Sequence, residues 1–171
     1  MPPLIIGIGN ILLRDEGVGV RAVEAMQRMD LVGVELLDGG TSGADLLDEI
    51  ANRGKVIFVD AADANAQPGT IFRFTENDLM QREEGSISLH EFGLVETLLA
   101  ARHLGCSPRE VVIFGVQPAD VRTGLDLSPE VVAVLPSLVE QVLIEAGPDS
   151  GPNGFRCASS LIRDRLPGES P

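Results

Sequence analysis

Residues 4–29 read LIIGIGNILLRDEGVGVRAVEAMQRM, which is an apolar run, a glycine-containing turn and an amphipathic segment in succession. The short continuous apolar run at residues 4–8 predicts a strand that is buried on both faces. From residue 15 to residue 29 apolar side chains recur at helical spacing, so a helix is expected directly after the turn. Glycines in the turn allow the strand to reverse tightly into this helix. Strand, turn and helix in this order form the first unit of an α/β fold.

The same alternation continues along the chain. Further strands are predicted at residues 34–37, 55–59 and 111–116, and further helices at residues 44–51, from Ser88 onward, and at residues 129–146. Residues 70–74 alternate between apolar and polar side chains, which is typical of a strand with one exposed face, and they are the candidate for an antiparallel edge strand. Strands alternating with helices imply right-handed crossovers and a mostly parallel sheet. The fold class is therefore α/β with three layers, α/β/α.

Composition restricts the class of protein. The 171 residues suit one domain, which we place at residues 1–146, followed by a Pro/Gly/Ser-rich and flexible tail at residues 147–171. A formal net charge of −13 argues against nucleic acid and against an anionic membrane surface as partners. The sequence has neither a secretion signal nor an apolar run of about 20 residues, so a cytoplasmic location is expected. Cys106 and Cys157 lie too far apart to indicate a thiolate zinc site.

Polar side chains follow the predicted strands, at the edge of the sheet where α/β proteins bind ligands. Each carboxylate alone fits a helix start or a turn. Several of them at one edge repel one another, and a divalent cation would offset this repulsion. A capping-box pattern at Ser88 and Glu91 predicts a helix start that places His90 in its first turn, where a neutral imidazole suits a metal. The candidates are Asn10, Asp15, Glu16, Asp38, Asp60, Asp63, His90 and Gln117.

The opening stretch also resembles a dinucleotide-binding motif. That motif requires a third glycine at the start of the helix, where this chain has Leu12. Asp15 and Glu16 then follow close to where the phosphates would lie, and like charges repel. Asp38, at the end of the second strand, does lie where a ribose-binding acid is expected. Nucleotide binding therefore stays as a weaker alternative to a metal site.

Five blocks stand out along the sequence: GIGNILLRDEGVG (7–19), LLDGGTSGADLLDEIA (36–51), VIFVDAADA (56–64) with PGT (68–70), SLHEFGLVETL (88–98) and FGVQP (114–118). In this order they resemble the hydrogenase maturation endopeptidases, which process the large subunit of nickel-iron hydrogenases. The resemblance covers nearly all of residues 4–146 and implies a doubly wound α/β fold with a twisted, mostly parallel sheet.

The resemblance also implies a reaction and a site. Members of the family remove a C-terminal extension from the large-subunit precursor once nickel has been inserted. The metal-contacting positions of the family correspond here to Glu16, Asp60 and His90, and the divalent metal would be nickel, bound by the chain itself or supplied by the precursor. Asp38 is the candidate for a catalytic or nickel-sensing role, for instance as a general base. The main rival function is a nickel-binding maturation factor or scaffold that cuts nothing.

Overall fold

The computed structural model describes residues 1–41, 44–81, 88, 89 and 93–147. Two short 3-10 helices lie at Arg14–Gly17 and Ala44–Leu46. The described strands are β1 (Leu4–Ile8), β2 (Glu35–Gly40), β3 (Val56–Asp63), β4 (Ile71–Thr75), β5 (Ser88–Leu89) and β6 (Val111–Val116). The described α-helices are α1 (Val18–Gln27), α2 (Leu47–Ile50), α3 (Glu76–Met80), α4 (Leu94–His103) and α5 (Pro129–Ala146).

The sheet is mixed and mostly parallel. Its five main strands follow the order β2-β1-β3-β6-β4, and the short β5 pairs antiparallel with the end of β3. Strand β1 is parallel to β2 and β3, and β3 is parallel to β6. Strand β4 is antiparallel to β6 at the edge of the sheet. The predicted parallel sheet with an antiparallel edge strand near residues 70–74 is therefore confirmed.

Helices cover both faces of this sheet, which confirms the three-layer, doubly wound arrangement. On one face, side chains of α1 and α5 pack on alternate residues of the central strands, such as Ile57 and Val59. On the other face, side chains of α2 and α4 pack on the intervening residues, such as Phe58. Within the described part of the chain, no helix combines the length and apolar character that a membrane span requires.

Two glycines bring α1 directly onto the backbone of the sheet. A Cβ atom on Gly19 would lie 2.0 Å from the carbonyl oxygen of Val59 and 2.3 Å from that of Ile8. A Cβ atom on Gly7 would lie 2.2 Å from the carbonyl oxygen of Gly19. Only glycine allows this approach. The close contact places the 3-10 helix before α1 beside the carboxyl end of β1 and against β3.

Some predicted elements differ from the structure. The capping box at Ser88 is wrong, because Ser88 pairs with Asp63 in a short antiparallel ladder and α4 begins only at Leu94. Gly93 precedes α4 with a left-handed backbone (φ 69°), so a glycine rather than a side-chain cap starts this helix. By contrast, α5 has the predicted bounds, with Ser128 as its N-cap. The tail predicted for residues 147–171 lies, apart from Gly147, outside the described residues.

An ion-pair network joins α5 to β4 and to Lys55, the residue directly before β3. The carboxylate of Glu145 accepts hydrogen bonds from Arg73 Nε and from Lys55 Nζ, each at 2.7 Å. These bonds, Arg73 first, lower the pKa of Glu145 below its ordinary value of 4.5 although partial burial opposes them.

A lowered folded-state pKa gives stability that is present above the ordinary value and lost as pH falls through the folded-state value. We therefore expect Glu145→Gln to lower the free energy of unfolding at pH 7 by about 1 kcal/mol, a figure that allows for solvent screening. The difference should shrink as the pH falls below 4.5. Urea titrations between pH 3 and 8 measure it, with Glu140→Gln on the exposed side of α5 as the control. An equal loss of unfolding free energy at every pH would contradict the assignment of this loss to the ion pairs of Glu145.

Candidate functional site

Glu16 and Asp60 form a buried pair of carboxylates at the carboxyl edge of the sheet. Glu16 lies in the 3-10 helix Arg14–Gly17 and is 2% exposed, and Asp60 is 1% exposed. Asp60 lies within β3, opposite Gly115 of β6, and not in the loop after the strand as the sequence predicted. Burial is costly for ionised carboxylates, so a buried pair of this kind requires an explanation.

The electrostatics of Asp60 follow from this burial. Removal from water raises its pKa to about 8, and the negative charge of Glu16 contributes to the rise. One interaction opposes the shift, since the backbone N–H of Ala61 donates a 2.7 Å hydrogen bond to Oδ1 of Asp60. A positive charge placed beside Asp60 would favour its ionised form.

The backbone around Glu16 is packed closely against the end of β1. Gly9 has a φ of 134°, and a Cβ atom there would lie 1.8 Å from the carbonyl oxygen of Glu16. The backbone N–H of Glu16 donates to the carbonyl of Leu13 at 3.2 Å. These contacts set the distance of Glu16 from the end of β1. Gly9 is therefore needed to position this residue.

Asp38 lies at the same edge but apart from the buried pair. It is exposed at the end of β2, where its Oδ1 accepts a hydrogen bond from the backbone N–H of Gly40 at 2.9 Å. The register pairs Asp38 with Gly7 and Gly7 with Val59, so β2 lies two strand spacings, about 10 Å, from β3. Strand alternation directs Asp38 to the face of Val59 and Asp60 to the opposite face. The charge of Glu16 thus acts on Asp60, whereas register and alternation place Asp38 away from Asp60.

The third predicted metal ligand, His90, lies outside the described residues. Within the ranges that the structure describes, no group of three or more His, Cys, Asp or Glu side chains is placed to hold a metal ion. The two carboxylates that are described nevertheless have the chemistry of a divalent-cation site, since both offer oxygen ligands and both are withdrawn from water. Glu16 and Asp60 could therefore supply two of the ligands of such an ion.

Asp15, the neighbour of Glu16, is an anchor for a distant loop. It is fully buried, and its carboxylate accepts four hydrogen bonds of 2.7–2.9 Å. The donors are the backbone N–H groups of Ala119, Asp120 and Ser128 and the hydroxyl of Ser128. The sequence offered no signal for this role, because the donors lie 104 to 113 residues away.

Gln117 is also structural. Its Oε1 accepts hydrogen bonds from the backbone N–H groups of Ala64 and Ala66, and its Nε2 donates to Asp63 at 2.9 Å. These bonds hold the loop that follows β3. Asp63 and Gln117, both predicted as site candidates, therefore shape the edge of the sheet beside Asp60.

Comparisons with known proteins agree with this fold. Residues 20–145 match the family model HycI, described as hydrogenase maturation protease. The chain is 40% identical over 144 residues to the hydrogenase 2 maturation protease of Escherichia coli (strain K12), an alignment that covers 82% of this chain and 87% of the relative. It is also 40% identical over 152 residues to the hydrogenase expression/formation protein HupD of Bradyrhizobium diazoefficiens, covering 84% and 79% of the two chains.

Solved structures with a similar fold are also named as hydrogenase maturation peptidases. The hydrogenase maturating endopeptidase HybD from Escherichia coli superposes with a TM-score of 0.76 at 39% identity, over 85% of this chain and 91% of that one. A hydrogenase 2 maturation peptidase from a Thaumarchaeota archaeon superposes with a TM-score of 0.64 at 32% identity, over 86% and 99%. The matched family model spans well over half of the chain. The chain therefore belongs to the hydrogenase maturation protease family, and it is an endopeptidase of that family.

Proposed function

We propose that this endopeptidase removes the C-terminal extension of a nickel-iron hydrogenase large-subunit precursor after nickel insertion, and that Glu16, Asp60 and His90 recognise the nickel that the precursor holds. The names of the relatives support a role in hydrogenase processing. In this reaction the nickel ion is part of the substrate, because it belongs to the metal site that is being assembled in the precursor.

The observation that carries the proposal is the burial of Glu16 beside Asp60 at the carboxyl edge of the sheet. Two carboxylates withdrawn from water are unfavourable in an isolated protein. They become favourable when a divalent cation arrives, since the cation neutralises both charges and accepts their oxygen atoms as ligands. A site of this kind distinguishes a nickel-loaded precursor from an empty one.

Asp38 has a different proposed role. It is exposed on the edge strand, about 10 Å across the sheet from β3, so a polypeptide entering the site can reach it without displacing the buried pair. We assign it to contact with the substrate near the scissile bond, as a general base or as an orienting group. A bound divalent ion would supply Lewis-acid polarisation to a nearby carbonyl or water.

Mass spectrometry of the precursor tests the proposal directly. The purified chain is incubated with the large-subunit precursor, prepared with and without nickel, and the mass of the precursor is followed over time. We expect a C-terminal peptide to be lost only from the nickel-loaded form. Equal cleavage of both forms would contradict nickel recognition but keep the peptidase. Complex formation at unchanged mass would instead support the scaffold function.

A further inference from the structure

Two loops at the carboxyl edge of the sheet are joined to each other beside Glu16. Leu13 and Gly124 form an isolated parallel bridge. The backbone N–H of Gly124 donates to the carbonyl of Leu12 at 2.8 Å, and that of Arg14 donates to the carbonyl of Gly124 at 3.0 Å. The loop at residues 119–125 is therefore fixed to the segment that leads into the 3-10 helix of Glu16.

Further contacts make this pair of loops rigid. The side chain of Arg14 lies across Gly124 so closely that a Cβ atom there would be 2.8 Å from Arg14 Nε. Asp15 accepts hydrogen bonds from Ala119 and Asp120, and Arg21 of α1 donates to the carbonyl of Leu125 at 3.1 Å. The loops are thus held by a buried carboxylate and by α1, not only by their own backbone.

This rigid platform presents apolar side chains to solvent. Leu12 is 56% exposed, Val121 is 42% exposed and Leu125 is 59% exposed. Val121 also lies at an open pocket of about 610 Å³ whose other walls include the charged residues Arg14, Asp120, Arg122 and Glu130. We call these three exposed side chains on the two joined loops, Leu12, Val121 and Leu125, the apolar rim. Grouped exposed apolar side chains in a soluble protein mark an interaction surface.

We propose that the apolar rim binds an apolar segment of the precursor polypeptide beside the scissile bond. The inference rests on the proposed function, because it takes the precursor as the occupant. Leu12 lies four residues before Glu16, and the loop that carries Val121 and Leu125 is hydrogen-bonded to Arg14 and Asp15 of the 3-10 helix that holds Glu16. A bound chain extends by about 3.3 Å per residue, so a few residues cover the distance from the metal-binding pair to the rim.

Two features favour the substrate over a second copy of this chain. The rim lies at the edge of the sheet that holds the buried carboxylates, and a dimer formed there would obstruct the entry of a polypeptide. An endopeptidase must also hold its substrate on both sides of the bond that it cuts, since orientation supplies much of the rate enhancement. A rigid apolar surface binds such a chain with little loss of conformational entropy.

Kinetics with the rim altered test the proposal. The double variant Leu12→Ser/Leu125→Ser should raise KM for the nickel-loaded precursor about tenfold, with kcat changed less than threefold, because only docking contacts are removed. Leu104→Ser is the matched control, since Leu104 is 64% exposed but follows α4 at the opposite edge of the sheet. A KM within twofold of the unaltered protein would overturn the proposal.

Photo-crosslinking separates failure of the rim from failure of the proposed function. Benzoylphenylalanine replacing Leu125 should crosslink to the precursor, and the same group replacing Leu104 should not. If the chain binds the precursor without cutting it, the crosslink still reports on the rim while the processing function fails. A crosslink from position 125 to a second copy of this chain, or none at all, would overturn the proposal.

Discussion

Replacement of Asp60 by asparagine is expected to stabilise the metal-free protein at pH 8 and at the same time to reduce cleavage of the precursor at least 100-fold. Asparagine keeps the oxygen that accepts the Ala61 hydrogen bond but carries no charge. It therefore removes the repulsion with Glu16 and the cost of burying an ionised group. Loss of activity with a gain of stability is typical of a functional residue that the fold does not require.

The pH dependence of the free energy of unfolding shows why Asp60→Asn should stabilise the protein. The pKa of Asp60 is raised from 3.8 to about 8 in the folded protein, so between these values the folded state keeps a proton that the unfolded state releases. The free energy of unfolding of the unaltered protein should therefore fall as pH rises from 4 to 8. The Asp60→Asn variant should lack this decline. At pH 8 its free energy of unfolding should exceed that of the unaltered protein by about 2 kcal/mol, which is less than the whole shift would give at about 1.4 kcal/mol per pKa unit.

Denaturant titrations of the metal-free protein at several pH values measure this effect. Asp48→Asn is the matched control, because Asp48 is exposed on α2 and should change neither stability nor cleavage. A variant at Asp60 that is less stable than the unaltered protein at pH 8 would contradict the description of a repulsive buried pair. Cleavage at an undiminished rate would remove Asp60 from the proposed site.

The second large effect is expected at Asp15. Asp15→Asn should lower the free energy of unfolding by about 3 kcal/mol, which corresponds to a fall in Tm of roughly 6–12 °C for a chain of this size. The carboxylate of Asp15 accepts four hydrogen bonds. The amide of asparagine has only one oxygen acceptor, and its NH2 group would face N–H or O–H groups that need an acceptor. Buried N–H groups of the loop at residues 119–128 would then lose their acceptor.

Differential scanning calorimetry tests this prediction, and Asp126→Asn supplies the control. Asp126 lies in the same loop but is exposed, so its substitution should leave Tm nearly unchanged. Asp15→Asn should also raise KM for the precursor, because the apolar rim depends on the same loop. A Tm equal to that of the unaltered protein would show that Asp15 does not hold the loop.

Local patterns in the sequence predicted much of the fold. The apolar run at residues 4–8 is β1 and the Ser128-Pro129 start gives α5 its bounds, since both signals depend on neighbouring residues. The helix start at Ser88 failed because a contact with Asp63 of β3, distant in the sequence, places Ser88 in a strand. Tertiary pairing outweighed a local capping preference there.

For the site, the sequence by itself determined the candidates, because carboxylates that follow parallel strands must gather at one edge of the sheet. The tertiary structure decided which of them meet. Register and alternation separate Asp38 from Asp60, and the close approach permitted by Gly19 lowers Glu16 into the buried pair. The anchoring of the loop by Asp15 was also decided only in three dimensions, because its donors lie more than 100 residues away and no local pattern encodes such a contact.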